Sequence, residues 1–214
     1  GSTQGDFVGS GKLTPLNNGN YVVSSPQWDN GAAVDAGAVT WGNGTTGTTG
    51  VVNSNNSLVG SRTEDRVGTV FPQEAVVALS NGNYVVRSPS WDNGILVDAG
   101  AVTWGDGTSG VSGAISADNS LISSQSNARL GQTPLTLLSN GNYVVVNYLW
   151  NNGNVEGVGA VTWGNGSSGV RGAINSSNSL VGTHASDVIG IGGVTALSNG
   201  NYVVNSHSWD NGSV

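Results

Sequence analysis

The chain has 214 residues, a net charge of −7 from 13 acids and 6 bases, and no cysteine. The bases Lys12, Arg62, Arg66, Arg87, Arg129 and Arg171 are scattered, whereas a phosphate-tracking surface needs them clustered, so nucleic acid and anionic membrane surfaces are poor partners. Without cysteine there is no disulfide framework, thiolate metal site or Cys nucleophile.

Charged residues are 9% against a usual ~25%, while 35 glycines stand among abundant Val, Thr and aromatics. Disordered chains show the opposite balance. The blend predicts short strands joined by tight turns. No apolar run approaches the roughly 20 residues of a membrane-spanning helix, so no membrane insertion is expected. The leading Gly1-Ser2 reads as a tag-cleavage scar, which puts any native signal peptide outside this sequence.

In chain order, the first element is a hairpin. Asn17-Asn18-Gly19-Asn20 stands between apolar runs, and Asn-Gly accepts a positive φ at low cost. The strand that follows ends at Pro26, which cannot donate to a sheet ladder. Next comes Trp28-Asp29-Asn30-Gly31, a polar loop, and then Asp35-Ala36-Gly37-Ala38-Val39, which opens a third strand ending at Trp41. A fourth strand surrounds Leu58.

The pattern then recurs. Asn-Gly-Asn-Tyr-Val-Val begins at Asn18, Asn81, Asn140 and Asn199. Copy two is longer by a short insertion around Val70-Phe71-Pro72-Gln73, placed in the loop between successive copies. In it Pro89 ends the second strand; on the third, Val102 and Trp104 point one way and Ala101 and Thr103 the other. The copies span residues 3–62, 63–124 and 125–183, with a half copy at 184–214. Each unit of about 60 residues should form four strands, stable beside its siblings.

Val22-Val23-Ser24-Ser25-Pro26-Gln27-Trp28-Asp29-Asn30-Gly31, followed by Asp35-Ala36-Gly37-Ala38-Val39, resembles the FG-GAP repeat of integrin α subunits and many bacterial secreted proteins. The chain is also similar to tandem repeats of large bacterial surface proteins of the filamentous-haemagglutinin kind. The first resemblance implies an all-β fold of β-propeller-type blades with four antiparallel strands, about 3.5 repeats of them. A β-solenoid is the alternative. Two chains would supply enough blades for a ring, so a homodimer completing a propeller is an expected partner arrangement. The FG-GAP calcium loop lies between strands one and two and carries several Asp. Here that position is Asn17-Asn18-Gly19-Asn20, with no carboxylate among the six to eight oxygens calcium requires. No metal and no cofactor are therefore expected.

Asp29 and Asp92 lie six residues before Asp35 and Asp98, but copy three has Asn151 and Gly157 at these places. That break favours side-chain-capped turns over a cation loop. His184 and His207 do not recur, no Gly-x-Ser-x-Gly elbow is present, and an enzyme is not expected. Trp41, Trp104 and Trp163 end apolar strands and should be wedged between blades. Trp28, Trp91, Trp150 and Trp209 lie in polar loops, three of them followed by Asp29, Asp92 and Asp210. There, indole stacking on a sugar ring competes with packing between blades. These loop residues are the candidate ligand contacts. The chain reads as a non-enzymatic module of a secreted or cell-surface bacterial protein, for adhesion or recognition, with a glycan first and a surface protein second as ligand. A purely structural spacer is the rival reading, and part of a polysaccharide-acting enzyme the third.

Overall fold

The computed structural model describes residues 1–212, and every regular element in it is a β-strand. Copy one contributes β1 (Leu13–Pro15), β2 (Tyr21–Ser25), β3 (Ala38–Gly42) and β4 (Ser57–Val59). Copy two contributes β5 (Val76–Ala78), β6 (Tyr84–Ser88), β7 (Ala101–Gly105), β8 (Gly113–Ala114) and β9 (Ser120–Ile122). Copy three contributes β10 (Thr136–Leu137), β11 (Tyr143–Asn147), β12 (Ala160–Gly164), β13 (Gly172–Ala173) and β14 (Ser179–Val181). The half copy supplies β15 (Val194–Ala196) and β16 (Tyr202–Val204).

Each full copy folds into one sheet, or blade, whose four main strands run antiparallel (β1-β2-β3-β4, β5-β6-β7-β9 and β10-β11-β12-β14), while β8 and β13 leave to pair with the preceding copy. The hairpin between the first two strands forms as the sequence predicts. The amide of Gly19 donates to the Leu16 carbonyl, and Gly19 takes the positive φ of 87°. β2 and β6 stop at Ser25 and Ser88, immediately before Pro26 and Pro89. The insertion around Phe71 lies in the loop between β4 and β5.

Strand alternation decides how the blades stack. Ala101 on β7 faces copy one, in a cluster with Val39 and Leu58, while Val102 and Trp104 face copy three, with Tyr143 and Val145. On β6, Tyr84 and Val86 face back while Val85 faces forward. The middle blade is covered on both faces, which is why all five residues of β6 are buried. Most of the core is thus a series of layers between copies, with one small cluster of Trp28, Ala38 and Val59 inside copy one.

Short parallel bridges tie successive copies together. β8 pairs with β4, and β13 with β9. Gly37 and Gly100 bridge Val67 and Leu130 in the same sense. Among the described residues, no strand pairing joins copy one to the half copy.

Candidate functional site

The loop after each second strand is built around the candidate residues. The Asp29 carboxylate accepts the Asp35 amide at 2.9 Å, and Asp92 accepts the Asp98 amide at 2.8 Å. In copy three the Asn151 side-chain oxygen accepts the Gly157 amide at 2.7 Å. One acceptor oxygen is all this loop demands, so Asn serves where Asp stands elsewhere. Asp35 and Asp98 take positive φ values of 52° and 49°, and copy three places Gly157 there, with φ 60°. The Asp pairs are therefore loop caps.

A second acceptor fixes the other end of the loop. The amide of Asp92 donates to the buried Asp65 carboxylate at 2.9 Å, and the amides of Ser61 and Arg62 donate to its other oxygen. Asp6 and Asp187 do the same for Asp29 and Asp210. Copy three carries Ala128 at this register, and Gln125 takes over by accepting the Asn151 amide at 2.9 Å. Burial pushes the Asp65 carboxyl above its usual range despite three amide bonds. At Asp6 burial also pushes upward, but the Thr3 hydroxyl and the backbone amides of Thr3, Asp29 and Ser2 bring it down to about 2. Sequence reasoning missed these aspartates. Their signal was an Asp at the same register in three of the four copies, Asp6, Asp65 and Asp187, each followed in the structure by a left-handed residue, Phe7, Arg66 or Val188.

Of the two roles weighed for the loop indoles, packing is the one that three of them take. Trp28, Trp91 and Trp150 are each 4% exposed, and Trp91 and Trp150 belong to the layers between copies. Stacking a sugar on them would require opening the core. Burying roughly 200 Å² of ring contributes about 5 kcal/mol. That outweighs the ~1–3 kcal/mol cost of their unpaired indole N–H groups. Of the four, Trp209 alone is open, at 52%, with Asp210 also exposed beside it.

The strand-ending tryptophans do work between blades as expected for two copies. The Trp41 Nε1–H donates to the Gly107 carbonyl, where the Asn18 and Asn20 side-chain amides also converge, at 2.7 and 2.8 Å. Trp104, Asn81 and Asn83 meet in the same way on Gly166. Gly107 has to be glycine, because a Cβ there would lie 1.7 Å from the Gly82 carbonyl oxygen. Trp163 departs from this pattern and is 41% exposed.

What remains accessible and differs between copies is the tip that follows Asp-Asn-Gly, or Asn-Asn-Gly in copy three. Asn30 and Ala33 close a two-residue hairpin, as do Asn93 with Leu96 and Asn152 with Val155. The tips read Ala32-Ala33-Val34, Ile95-Leu96-Val97 and Asn154-Val155-Glu156. Ile95 is 90% exposed, and Val34 and Val97 are about half exposed. Among the described residues, no group of three or more His, Cys, Asp or Glu side chains converges as a cation cage.

Stacked meanders with a recurring frame and variable tips define an all-β tandem-repeat protein. The chain belongs to the family described as "Repeat of unknown function (DUF5650)", whose model matches residues 15–69, 78–132, 137–191 and 196–214. No curated protein matches it.

Proposed function

We propose that the chain is a non-enzymatic recognition module of a secreted or surface-exposed bacterial protein, holding a partner protein through its loop tips. The observation that carries this reading is the contrast within one loop. The capping Asp, Asn and Trp residues are spent on the frame, while the tip between them changes from copy to copy and stands in solvent. A rigid frame with variable tips is how loops acquire binding roles. Exposed Ile95, Val34 and Val97 suit an apolar protein surface better than a sugar. Weak contacts repeated once per copy would add as avidity. The likeness to FG-GAP repeats of secreted proteins supports the same class. Trp209, exposed beside Asp210, favours a glycan as the second ligand class.

The test is binding of the labelled chain to arrays of extracellular proteins and of glycans. Protein hits abolished by Ile95→Asp with Val97→Asp support the tips, and glycan hits abolished by Trp209→Ala support the second class. Silence on both arrays overturns recognition and leaves a structural spacer.

A further inference from the structure

On their second strands, copies one and two differ at a buried register position. Arg87 on β6 is 2% exposed. Its guanidinium meets only neutral acceptors: Nε donates to the Gly131 carbonyl at 2.8 Å and Nη1 to the Glu74 carbonyl at 2.9 Å. Nη2 donates to the Gln73 side-chain oxygen at 2.6 Å and to the Gln132 carbonyl at 2.7 Å. Burial lowers its pKa to about 10, so the group is charged at neutral pH.

Ser24 holds the same place in copy one. It pairs with Val39 as Arg87 pairs with Val102. It also lies against Gly68 as Arg87 lies against Gly131; a Cβ on either glycine would come within 3.5 Å of it. Serine is far shorter than arginine. Between copies one and two there is a cavity of about 350 Å³, lined by Ser24, Gly68, Thr69, Gly11, Thr14 and Glu74 among others. Gly68, Thr69 and Gly11 are the register counterparts of Gly131, Gln132 and Glu74, whose carbonyls hold Arg87. Among the described residues, none of the Gly11, Gly68 and Thr69 carbonyls accepts a backbone hydrogen bond. The Thr14 hydroxyl, in a residue 6% exposed, is also without a partner.

We propose that this cavity binds a guanidinium group, as a free guanidino compound or as the arginine side chain of a peptide. The carbonyls of Gly11, Gly68 and Thr69 receive its N–H groups as their counterparts receive those of Arg87, and the Thr14 hydroxyl accepts another. A planar fork of five donors matches such spread acceptors, whereas an ammonium concentrates its donors at one point. Lys12 stands at the mouth and pairs with Glu74. It opposes an incoming cation, and its removal frees the Glu74 carboxylate to attract one.

The test is an NMR titration of the chain with methylguanidinium, with N-acetyl-arginine amide and with methylammonium. Saturable shifts at the Gly68 and Thr69 amides are expected for the first two, at least about tenfold weaker for methylammonium. Lys12→Ala should tighten binding. Ser24→Arg should abolish it by filling the cavity from within the chain. Arg87→Ser should lower the denaturation midpoint, and low-millimolar methylguanidinium should recover part of that loss. Absence of saturable shifts in the unaltered chain, equal affinity for methylammonium, or undiminished binding by Ser24→Arg overturns the proposal. Should Ser24→Arg not fold, the ligand comparison and Lys12→Ala decide it. Binding of methylguanidinium but not of the arginine derivative identifies a free compound as the ligand, and the reverse identifies a peptide.

Discussion

The indole of Trp41 reaches across to copy two and donates to the Gly107 carbonyl at 3.0 Å, a residue 66 positions away. Trp104 repeats the bond to Gly166 at 2.9 Å. Two asparagine side chains share each carbonyl, so removing the indole N–H leaves the acceptor satisfied. Trp104→Phe should therefore cost no more than about 1–2 kcal/mol, one hydrogen bond and a small loss of packing. Trp163→Phe, at an exposed position, should stay within about 0.5 kcal/mol of the parent. Urea unfolding of the two variants checks the pair, and equal losses would refute the account of Trp104.

Asp65→Ala removes the acceptor of three backbone amides, those of Ser61, Arg62 and Asp92. Each buried donor left unpaired costs about 1–3 kcal/mol, less what water recovers, so a loss of at least about 3 kcal/mol is expected. Asp65→Asn keeps one acceptor oxygen but turns a donor toward the other amides, and should fall between. Chemical denaturation measures both. A neutral alanine variant would mean the loop has another anchor, as copy three has in Gln125.

Much of this was legible in the sequence because it is local. Asn18-Gly19 marks a hairpin, Pro26 and Pro89 end strands, and alternation along Ala101 to Trp104 assigns two faces. The count of copies follows from repetition alone. The burial of Trp28, Trp91 and Trp150 is not local. Their sequence neighbours are Asp, Asn and Gly, which suggest solvent; stacking of whole blades covers Trp91 and Trp150, and Trp28 folds onto Ala38 and Val59 of its own copy. The second roles of Asn18 and Asn20 were hidden for the same reason, since they reach a carbonyl of the next copy. The Ser24-for-Arg87 exchange could be read by aligning the copies, but its meaning needs the carbonyls around it.

Asp6 and Asp65 oppose each other in pH dependence. Asp6 has a folded pKa lowered to about 2 from 3.8. Its contribution is present above the unfolded value and is lost as pH falls from about 4 towards 2. Asp65 is shifted upward, so its term runs the other way: it favours the fold below the unfolded value and fades as pH rises through the folded one. Asp6→Asn should thus be less stable than the parent at pH 5, and the gap should narrow as pH approaches 2. Thermal melts across that range test it. A gap that widens on acidification would contradict the hydrogen bonds assigned to Asp6.

Trp91 and Ile95 lie four residues apart and should behave as opposites. Trp91 is 4% exposed between two blades, whereas Ile95 is 90% exposed at a loop tip. Trp91→Ala should cost about 3–5 kcal/mol through lost burial and the cavity left behind. Ile95→Ser should change stability by no more than about 0.5 kcal/mol, because it removes nothing from the core. Denaturation midpoints separate the two, and fluorescence gives a second readout: Trp91→Ala should remove a shielded, blue-shifted component of the total emission of the seven tryptophans, whereas Ile95→Ser should leave that emission unchanged. A large loss of stability in Ile95→Ser would mean that the tip belongs to the frame. The reading of frame and tip as separate parts of one loop would then fail, and the proposed recognition surface with it.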